Sequence, residues 1–167
     1  MPTTTQPSRN SDGVLASALA LRRAGLQRVN LRWRLLGAPG TPVHAVLGGI
    51  SATRHVAAAD TGEPEGWWQA QVGPGRSFDL ARCRVLSFDW VGRDGTLDAP
   101  ISTHDQADAL AVLLDHLGIA RLAAIVGSSY GAMVGLAFAE RHAARIERLV
   151  VISGADRADP YAAAWRA

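Results

Sequence analysis

The stretch LAAIVGSSYGAMVGLAFAE, residues 122–140, decides the fold of this chain. An apolar run ends abruptly at the small-residue turn GSSYG, and a second apolar stretch with helical spacing begins at Ala132. The turn has the pattern G-x-S-x-G, with Ser129 at its centre. We therefore predict a strand, a sharp turn and a helix, with the Ser129 hydroxyl raised at the turn as a nucleophile.

The residues around Ser129 support a nucleophilic site. Gly127 and Gly131 flank a serine expected to hold a strained backbone, and a side chain at either glycine would press on the neighbouring strand or helix. The amide of Tyr130 opens the helix and can donate to an oxyanion forming on a carbonyl that Ser129 attacks. An ordinary turn between a buried strand and a buried helix is the alternative. Ser128 is the competing nucleophile, but it lies off the centre of the motif and is expected to be a packing or hydrogen-bonding neighbour.

A second loop upstream completes the pattern. The short apolar strand Val43–Leu47 runs into GGISA at residues 48–52. In α/β-hydrolases the loop after this strand supplies the second oxyanion amide, and glycines allow its N–H groups to face the site. Ile50 is the expected donor. An ordinary glycine turn after a strand is the alternative, because it would have a similar sequence.

Composition sets the class of protein. A length of 167 residues with 48% hydrophobic content suits one domain with a core. The formal charge is +2, and its 17 cations are all arginines scattered along the chain, which argues against nucleic-acid binding. The lone Cys83 excludes a disulfide framework and a cysteine metal cluster, and it is expected to be buried in an apolar strand.

The N-terminal segment is expected to lie outside the domain. Residues 1–13 are polar and predict a disordered leader, followed by a domain over residues 14–167. Residues 14–24 fit a short helix and also a looser continuation of the leader. No run approaches the roughly 18 apolar residues of a membrane span, and the short apolar run at 14–21 is weak as a secretory signal. We expect a cytoplasmic protein without a membrane partner.

The remaining elements alternate between strand and helix. Residues 27–37 alternate apolar and polar positions, as in a half-exposed antiparallel strand at a sheet edge. Further elements are expected at 84–89, 120–126 and 146–153 as strands, at 102–117 as a helix, and from 157 as the start of a helix. This alternation predicts a mostly parallel sheet with flanking helices. Ligands of such sheets gather at the carboxyl ends of the strands, where the loop 90–100 lies.

The segment GWWQAQVGPGRSFD at 66–79 carries adjacent tryptophans and a Gly-Pro-Gly break. It predicts a short helix and a fixed loop that either packs over the sheet or walls a substrate pocket, and aromatic pairs more often do the former.

Together with GGISATRH at 48–55 and GSSYGAMVGLAFA at 127–139, this segment makes the chain resemble the homoserine O-acyltransferases of methionine biosynthesis. The resemblance implies an α/β-hydrolase fold truncated after its sixth strand.

The resemblance also implies site residues and substrates. Ser129 matches the nucleophile that accepts the acyl group, and Ile50 and Tyr130 match the oxyanion amides. The implied substrates are homoserine and an acyl-CoA co-substrate, with succinyl-CoA favoured over acetyl-CoA. The resemblance implies no bound cofactor and no metal. Two positions depart from the family: Tyr130 stands where many members have Met, and Asp89 begins a loop that usually begins with Asn.

A catalytic base is not evident in the sequence. In this fold the acid and histidine follow the nucleophile, yet His142 is the last histidine and lies roughly 20 Å from Ser129 along a helix. The other histidines precede the turn that carries Ser129, which we call the elbow. His55, near the loop at 48–52 that carries Ile50 (the oxyanion loop), is the least implausible of them. Asp156 and Asp159 are expected to cap a following helix. We therefore expect an incomplete form, prone to self-association or homodimer formation through an open strand at 146–153. A generic serine esterase and a non-catalytic α/β module remain the alternatives.

Overall fold

Two long strands come first in the chain, and four shorter apolar segments after them form four more. In the computed structural model, which describes residues 10–157, all six strands form one sheet. The strands are β1 Ser11–Leu21, β2 Gly25–Gly37, β3 Val43–Leu47, β4 Arg84–Phe88, β5 Ala124–Ser128 and β6 Leu149–Ile152. Two α-helices accompany them, α1 Thr103–His116 and α2 Tyr130–His142.

The sheet is antiparallel at one side and parallel at the other. Its order is β1-β2-β4-β3-β5-β6, with β1–β2 and β2–β4 antiparallel and the other pairs parallel. Strand β2 therefore lies inside the sheet, and the prediction that it forms the edge is wrong. Within the part of the chain that the structure describes, β1 and β6 form the two edges.

The segment at 14–24 is neither a helix nor a loose leader. Residues 14–21 belong to β1, which pairs with β2 from Ser11 opposite Leu35 to Leu21 opposite Gly25, and residues 22–24 form the turn between the two strands. Alternate side chains point inward, and Leu19 and Leu21 are buried against the helices. Cross-strand pairing outweighs the helix-like run of apolar residues because it pairs the backbone along the whole strand and turns one face towards the protein, where it is partly or fully buried. The predicted leader is thus too long by Ser11–Gly13; residues 1–9, and the helix predicted from 157, lie outside the described residues apart from Arg157 itself.

The other predicted elements are found with shifted ends. Helix α1 is preceded by the N-cap Ser102, whose side chain accepts a hydrogen bond from the Asp105 amide while the Asp105 carboxylate accepts one from the Ser102 amide. This reciprocal capping fixes the start of the helix. Strand β5 begins later than predicted and extends through Gly127 and Ser128, whereas β6 is only four residues long.

The sheet is covered on both faces. Helices α1 and α2 pack on one face, with Leu110, Phe138 and their neighbours buried against Leu31, Leu86 and Ile125. On the other face a smaller cluster joins strand residues to the loops at 53–83, and its members are Leu36, Val46, Val56, Ala57, Val72, Phe78, Cys83 and Val85.

The tryptophan pair belongs to this smaller cluster. Trp67 and Trp68 stack at 5.5 Å between ring centroids and pack against it, so the segment 66–79 lies over the sheet, as its aromatic composition favours. The expected short helix is a single 3₁₀ turn, Gln69–Gln71. Cys83 is buried as predicted, but it lies just before β4 rather than within a strand.

A buried arginine links β1, β2 and the long segment between β3 and β4. The Arg34 side chain is only 4% exposed, and its guanidinium donates to the carboxylates of Asp12 and Glu63 at 2.6 and 2.7 Å. It also donates to the Ala57 carbonyl oxygen. A buried guanidinium needs such partners, because an unpaired charge in this position would be strongly destabilising.

Replacing Arg34 with alanine should lower the free energy of unfolding by about 2–4 kcal/mol, because two carboxylates lose their shared partner and a buried volume is left unfilled. Urea denaturation followed by circular dichroism measures the change. Arg32→Ala is the matched control, since Arg32 lies on the same strand, is exposed and makes no ion pair among the described residues. Equal stability of the two variants would contradict this role for Arg34.

The same cluster predicts a pH dependence. The hydrogen bond from Arg34, followed by the one from the Ala59 amide, lowers the pKa of Glu63 from 4.5 to about 2. A lowered pKa stabilises the fold above the unfolded value, and this contribution disappears as the pH falls towards 2. Urea midpoints measured from pH 5 to pH 2 should therefore fall less steeply in Glu63→Gln than in the parent chain. Parallel curves would show that Glu63 does not contribute.

Candidate active site

The backbone at Ser129 is strained in the way that a raised nucleophile requires. Ser129 has φ 53° and ψ −115°, a region that non-glycine residues rarely adopt, and it stands between the end of β5 and the start of α2. Its amide donates to the Ile152 carbonyl oxygen at 2.9 Å, and its own carbonyl accepts from Ala132 and Met133. The residue is exposed. The predicted strand, turn and helix are present, and the serine sits at the apex.

Two glycines make this turn possible because they let its backbone contact other backbone segments of the same chain closely. A Cβ atom on Gly127 would collide with the backbone of Gly131 and Ala132. A Cβ atom on Gly131 would collide with the carbonyl groups of Leu47 and Gly48, at the end of β3. The Gly131 amide also donates to the Gly48 carbonyl oxygen at 2.9 Å. The elbow is therefore in direct backbone contact with the loop that follows β3.

The two predicted oxyanion residues face a common space. Ile50 and Tyr130 line one cavity of about 450 Å³, together with Trp90, Val91, Gly92, Arg93, Leu97, Ala99, Ile101 and Gln106. Among the residues that the structure describes, neither the Ile50 amide nor the Tyr130 amide donates to an acceptor. Free backbone donors at a helix start and in a glycine loop are suited to binding an oxyanion.

A loop not singled out as a support in the sequence holds the Ile50 segment in place. The Trp90 indole donates through Nε1 to the Gly49 carbonyl oxygen at 3.0 Å, and Arg93 donates through Nη1 to the Ser51 carbonyl oxygen at 2.9 Å. The Trp90 ring also meets the Tyr130 ring edge-on, with centroids 5.0 Å apart. Trp90 thus contacts both candidate oxyanion segments.

Charge and burial fix this supporting loop in turn. The Asp89 carboxylate accepts from the Arg54 amide at 2.8 Å and pairs with the Arg54 guanidinium at 2.7 Å. On the other side the buried Gln106 side chain exchanges two hydrogen bonds with the Val91 backbone. Asp89, one of the two departures from the acyltransferase pattern, is therefore the anchor for Arg54.

No histidine in the described part of the chain is hydrogen-bonded to Ser129. The Ser129 hydroxyl has no side-chain partner there, and His142 lies at the far end of α2, 2.8 Å from the Asp108 carboxylate. His104 pairs with Glu140, and His116 is exposed. His44 lies near the start of β3 beside Phe78, and His55 stays half-buried with a pKa lowered by burial and then by nearby arginines.

Two further acids follow β6 in the sequence. Asp156 is exposed, whereas Asp159 lies outside the described residues. No cluster of three or more metal-ligating side chains occurs in residues 10–157. None of the helices in the same residues has the length and apolar character that crossing a membrane requires.

Comparison with known proteins agrees with this fold. A family model described as "alpha/beta hydrolase fold" matches residues 47–167. Homoserine O-succinyltransferase of Xanthomonas campestris pv. campestris is 55% identical over 170 aligned positions, covering 98% of this chain and 46% of that protein. A serine O-succinyltransferase of the same species is 35% identical, covering 91% of this chain and 46% of that protein. The chain thus spans less than half the length of these relatives.

Solved structures show the same fold. The crystal structure of homoserine O-acetyltransferase from Bacillus anthracis superposes with a TM-score of 0.78 at 20% sequence identity. The superposition covers 91% of this chain and 48% of that one. At this level of identity the likeness supports the architecture.

Replacing Gly131 with alanine should destabilise the chain by about 1–3 kcal/mol, because the added methyl group meets the carbonyl groups at the end of β3. Gly49→Ala is the matched control, since a Cβ atom there meets nothing within 4 Å. Urea denaturation measures both variants. A Gly131→Ala variant as stable as Gly49→Ala would show that the elbow tolerates a wider spacing.

Proposed function

Because this chain belongs to the α/β-hydrolase fold family, we propose that Ser129 is the nucleophile of an acyl transfer from acyl-CoA to the hydroxyl of homoserine. The observation that carries this proposal is the 55% identity, over nearly the whole chain, to a homoserine O-succinyltransferase. The exposed serine at a strained turn supports it from the side of the structure.

In the first step the Ser129 oxygen attacks the thioester carbonyl, and the electron pair of the C=O bond moves onto oxygen. The amides of Ile50 and Tyr130, which lack other acceptors in the described region, would stabilise this oxyanion. Collapse of the intermediate breaks the C–S bond, and CoA leaves as its thiol once it takes up a proton. Each oxyanion donor is worth on the order of 3 kcal/mol, a factor of 100 or more in rate.

In the second step the homoserine hydroxyl attacks the acyl-serine ester, and Ser129 regains its proton. Transfer prevails over hydrolysis where the acceptor is positioned and water is excluded. Both steps need a base. In this fold the acid and histidine follow the nucleophile in the chain, so we propose that they come from sequence corresponding to the unmatched part of the relatives, and that residues 10–157 are inactive alone.

Succinyl-CoA is the proposed donor, favoured over acetyl-CoA, because both relatives are named succinyltransferases. Homoserine is favoured over serine as acceptor because identity to the homoserine enzyme is 55% against 35% for the serine enzyme. The proposal implies a cytoplasmic enzyme of methionine biosynthesis with no bound cofactor. Exposure of Val150, Val151 and Ile152 on the edge strand β6 supports self-association of this chain.

A chimera tests the proposed function. This chain replaces the matching 46% of the Xanthomonas homoserine O-succinyltransferase, and release of CoA from succinyl-CoA is followed with and without homoserine. We expect release that depends on homoserine, with serine and acetyl-CoA much poorer substrates. Ser129→Ala should lower the rate by at least about a thousandfold, since the nucleophile is lost, whereas Ser128→Ala retains most of it.

Three outcomes would overturn the proposal. A folded chimera that releases no CoA would remove the transfer reaction, and equal release without homoserine would indicate a serine hydrolase. Loss of activity in Ser128→Ala but not in Ser129→Ala would show that Ser128, and not Ser129, is the nucleophile. Intact-protein mass spectrometry of the chimera without acceptor should show one succinyl group, carried on the peptide that contains Ser129.

A further inference from the structure

The cavity beside Ile50 and Tyr130 continues along the protein into a basic trough. A second cavity shares Trp90 to Arg93 and Leu97 with it and reaches Arg28 and Arg32 on β2. A third shares Arg28 and Thr96 and extends over β1. We call the part lined by Arg28, Asn30, Arg32 and the loop at 92–97 the arginine trough.

The arginine trough keeps a net positive charge among the described residues. Arg28, Arg32 and Arg93 line it, and none of the three has a carboxylate within 4.0 Å there. Two acids also line it, and the negative charge of Asp94, which interacts with Arg32, offsets one of the three positive charges. Asp89 is paired with Arg54, and Asp94 accepts hydrogen bonds from the amide and hydroxyl of Thr96. The trough is therefore suited to an anionic ligand.

Sheet topology places the trough at the same end as Ser129. Trp33 pairs with Phe88, the last residue of β4, so the β2 residues before Trp33 extend beyond the carboxyl ends of the parallel strands. Three strand spacings, about 14 Å, separate β5 from β2 across the sheet, and Arg28 lies roughly 16 Å before Trp33 along β2. The distance from the elbow to the arginines is thus on the order of 15–20 Å.

We propose that the arginine trough binds the phosphate groups of the CoA part of the acyl donor, an inference that rests on the proposed function. The pantetheine arm is equivalent to four or five extended residues, about 15 Å, which matches the distance from the elbow. The thioester then lies beside Ile50 and Tyr130, and the arm follows the loop at 90–97. The diphosphate and the 3′-phosphate lie at Arg28 and Arg32, whose planar forks match phosphate oxygens.

Arg93 connects the two ends of this path. Its Nη1 donates to the carbonyl oxygens of Ser51 and Ala52, while its Nε and Nη2 have no acceptor among the described residues. It can therefore support the oxyanion loop and still face an anion. Because of that first role, Arg93 is left unchanged in the test.

The test compares two double variants of this chain by isothermal titration calorimetry with CoA, 3′-dephospho-CoA and pantetheine. Arg28→Ala/Arg32→Ala should weaken CoA binding at least tenfold and change pantetheine binding less than twofold. Loss of the 3′-phosphate should cost affinity in the parent chain but not in this variant. Added salt should weaken CoA binding to the parent more than to the variant. The control, Arg23→Ala/Arg82→Ala, removes two exposed arginines outside the trough and should bind CoA like the parent.

Several results would overturn the proposal. These are equal CoA affinity in the parent and Arg28→Ala/Arg32→Ala, an equal loss in the control, and a parent chain that binds CoA no tighter than pantetheine. Inorganic phosphate that matches CoA in affinity would indicate a simple anion site only. Far-ultraviolet circular dichroism checks that the variants are folded, and Arg28→Lys/Arg32→Lys should recover part of the affinity through charge alone.

The trough and the proposed function can fail separately. If CoA binding depends on Arg28 and Arg32 but the chimera transfers no succinyl group, the trough stands and the acyl-transfer proposal fails. If the chimera transfers normally and the same two substitutions leave its KM for succinyl-CoA unchanged, the reaction stands and the trough does not hold the donor.

Discussion

Contact between two backbones, without a side chain between them, sets the geometry of the whole site. Gly131 lies so close to the carbonyl groups of Leu47 and Gly48 that a Cβ atom has no room, and its amide donates a hydrogen bond to the Gly48 carbonyl oxygen. The turn that carries Ser129 and the loop that carries Ile50 are therefore held at one fixed spacing. Preorganised donors stabilise developing charge because they need no rearrangement during reaction. In the proposed reaction, this contact would therefore hold the two free amides ready for an oxyanion.

Interactions on the outer side of the Ile50 loop keep it from relaxing away from the elbow. Trp90 and Arg93 bind its carbonyl groups, and Asp89 fixes its far end through Arg54. Those carbonyl groups would otherwise turn towards water or towards the site. These carbonyl oxygens accept from Trp90 and Arg93, while the amide of Ile50 has no acceptor among the described residues, and the strained Ser129 is held by hydrogen bonds of its amide and its carbonyl group.

Local signals predicted the elbow and α1, because glycine spacing and the Ser102–Asp105 capping pair act over a few residues. Long-range pairings were less accessible. The strand at 11–21 carries apolar residues on both faces, so its sequence shows no alternation and its pairing with β2 is not visible in it. The supports at Trp90 and Arg93 join residues some 41 and 42 positions apart. The Arg34 cluster likewise depends on three separate segments. Sequence proximity carries no information about such contacts.

The hairpin of β1 and β2 connects the fold to the proposed donor site. Its distal part pairs with no strand of the parallel sheet, and such a ribbon is marginal by itself. Here one face packs Leu19 and Leu21 on α1, and the Arg22 amide donates to the Asp105 carboxylate that also caps that helix. Because this face is anchored, the opposite face can present Arg28, Asn30 and Arg32 in a fixed row. The extension is therefore rigid where a charged ligand would bind. Its length brings that row of side chains to the end of the sheet where Ser129 lies, beyond the carboxyl ends of the parallel strands.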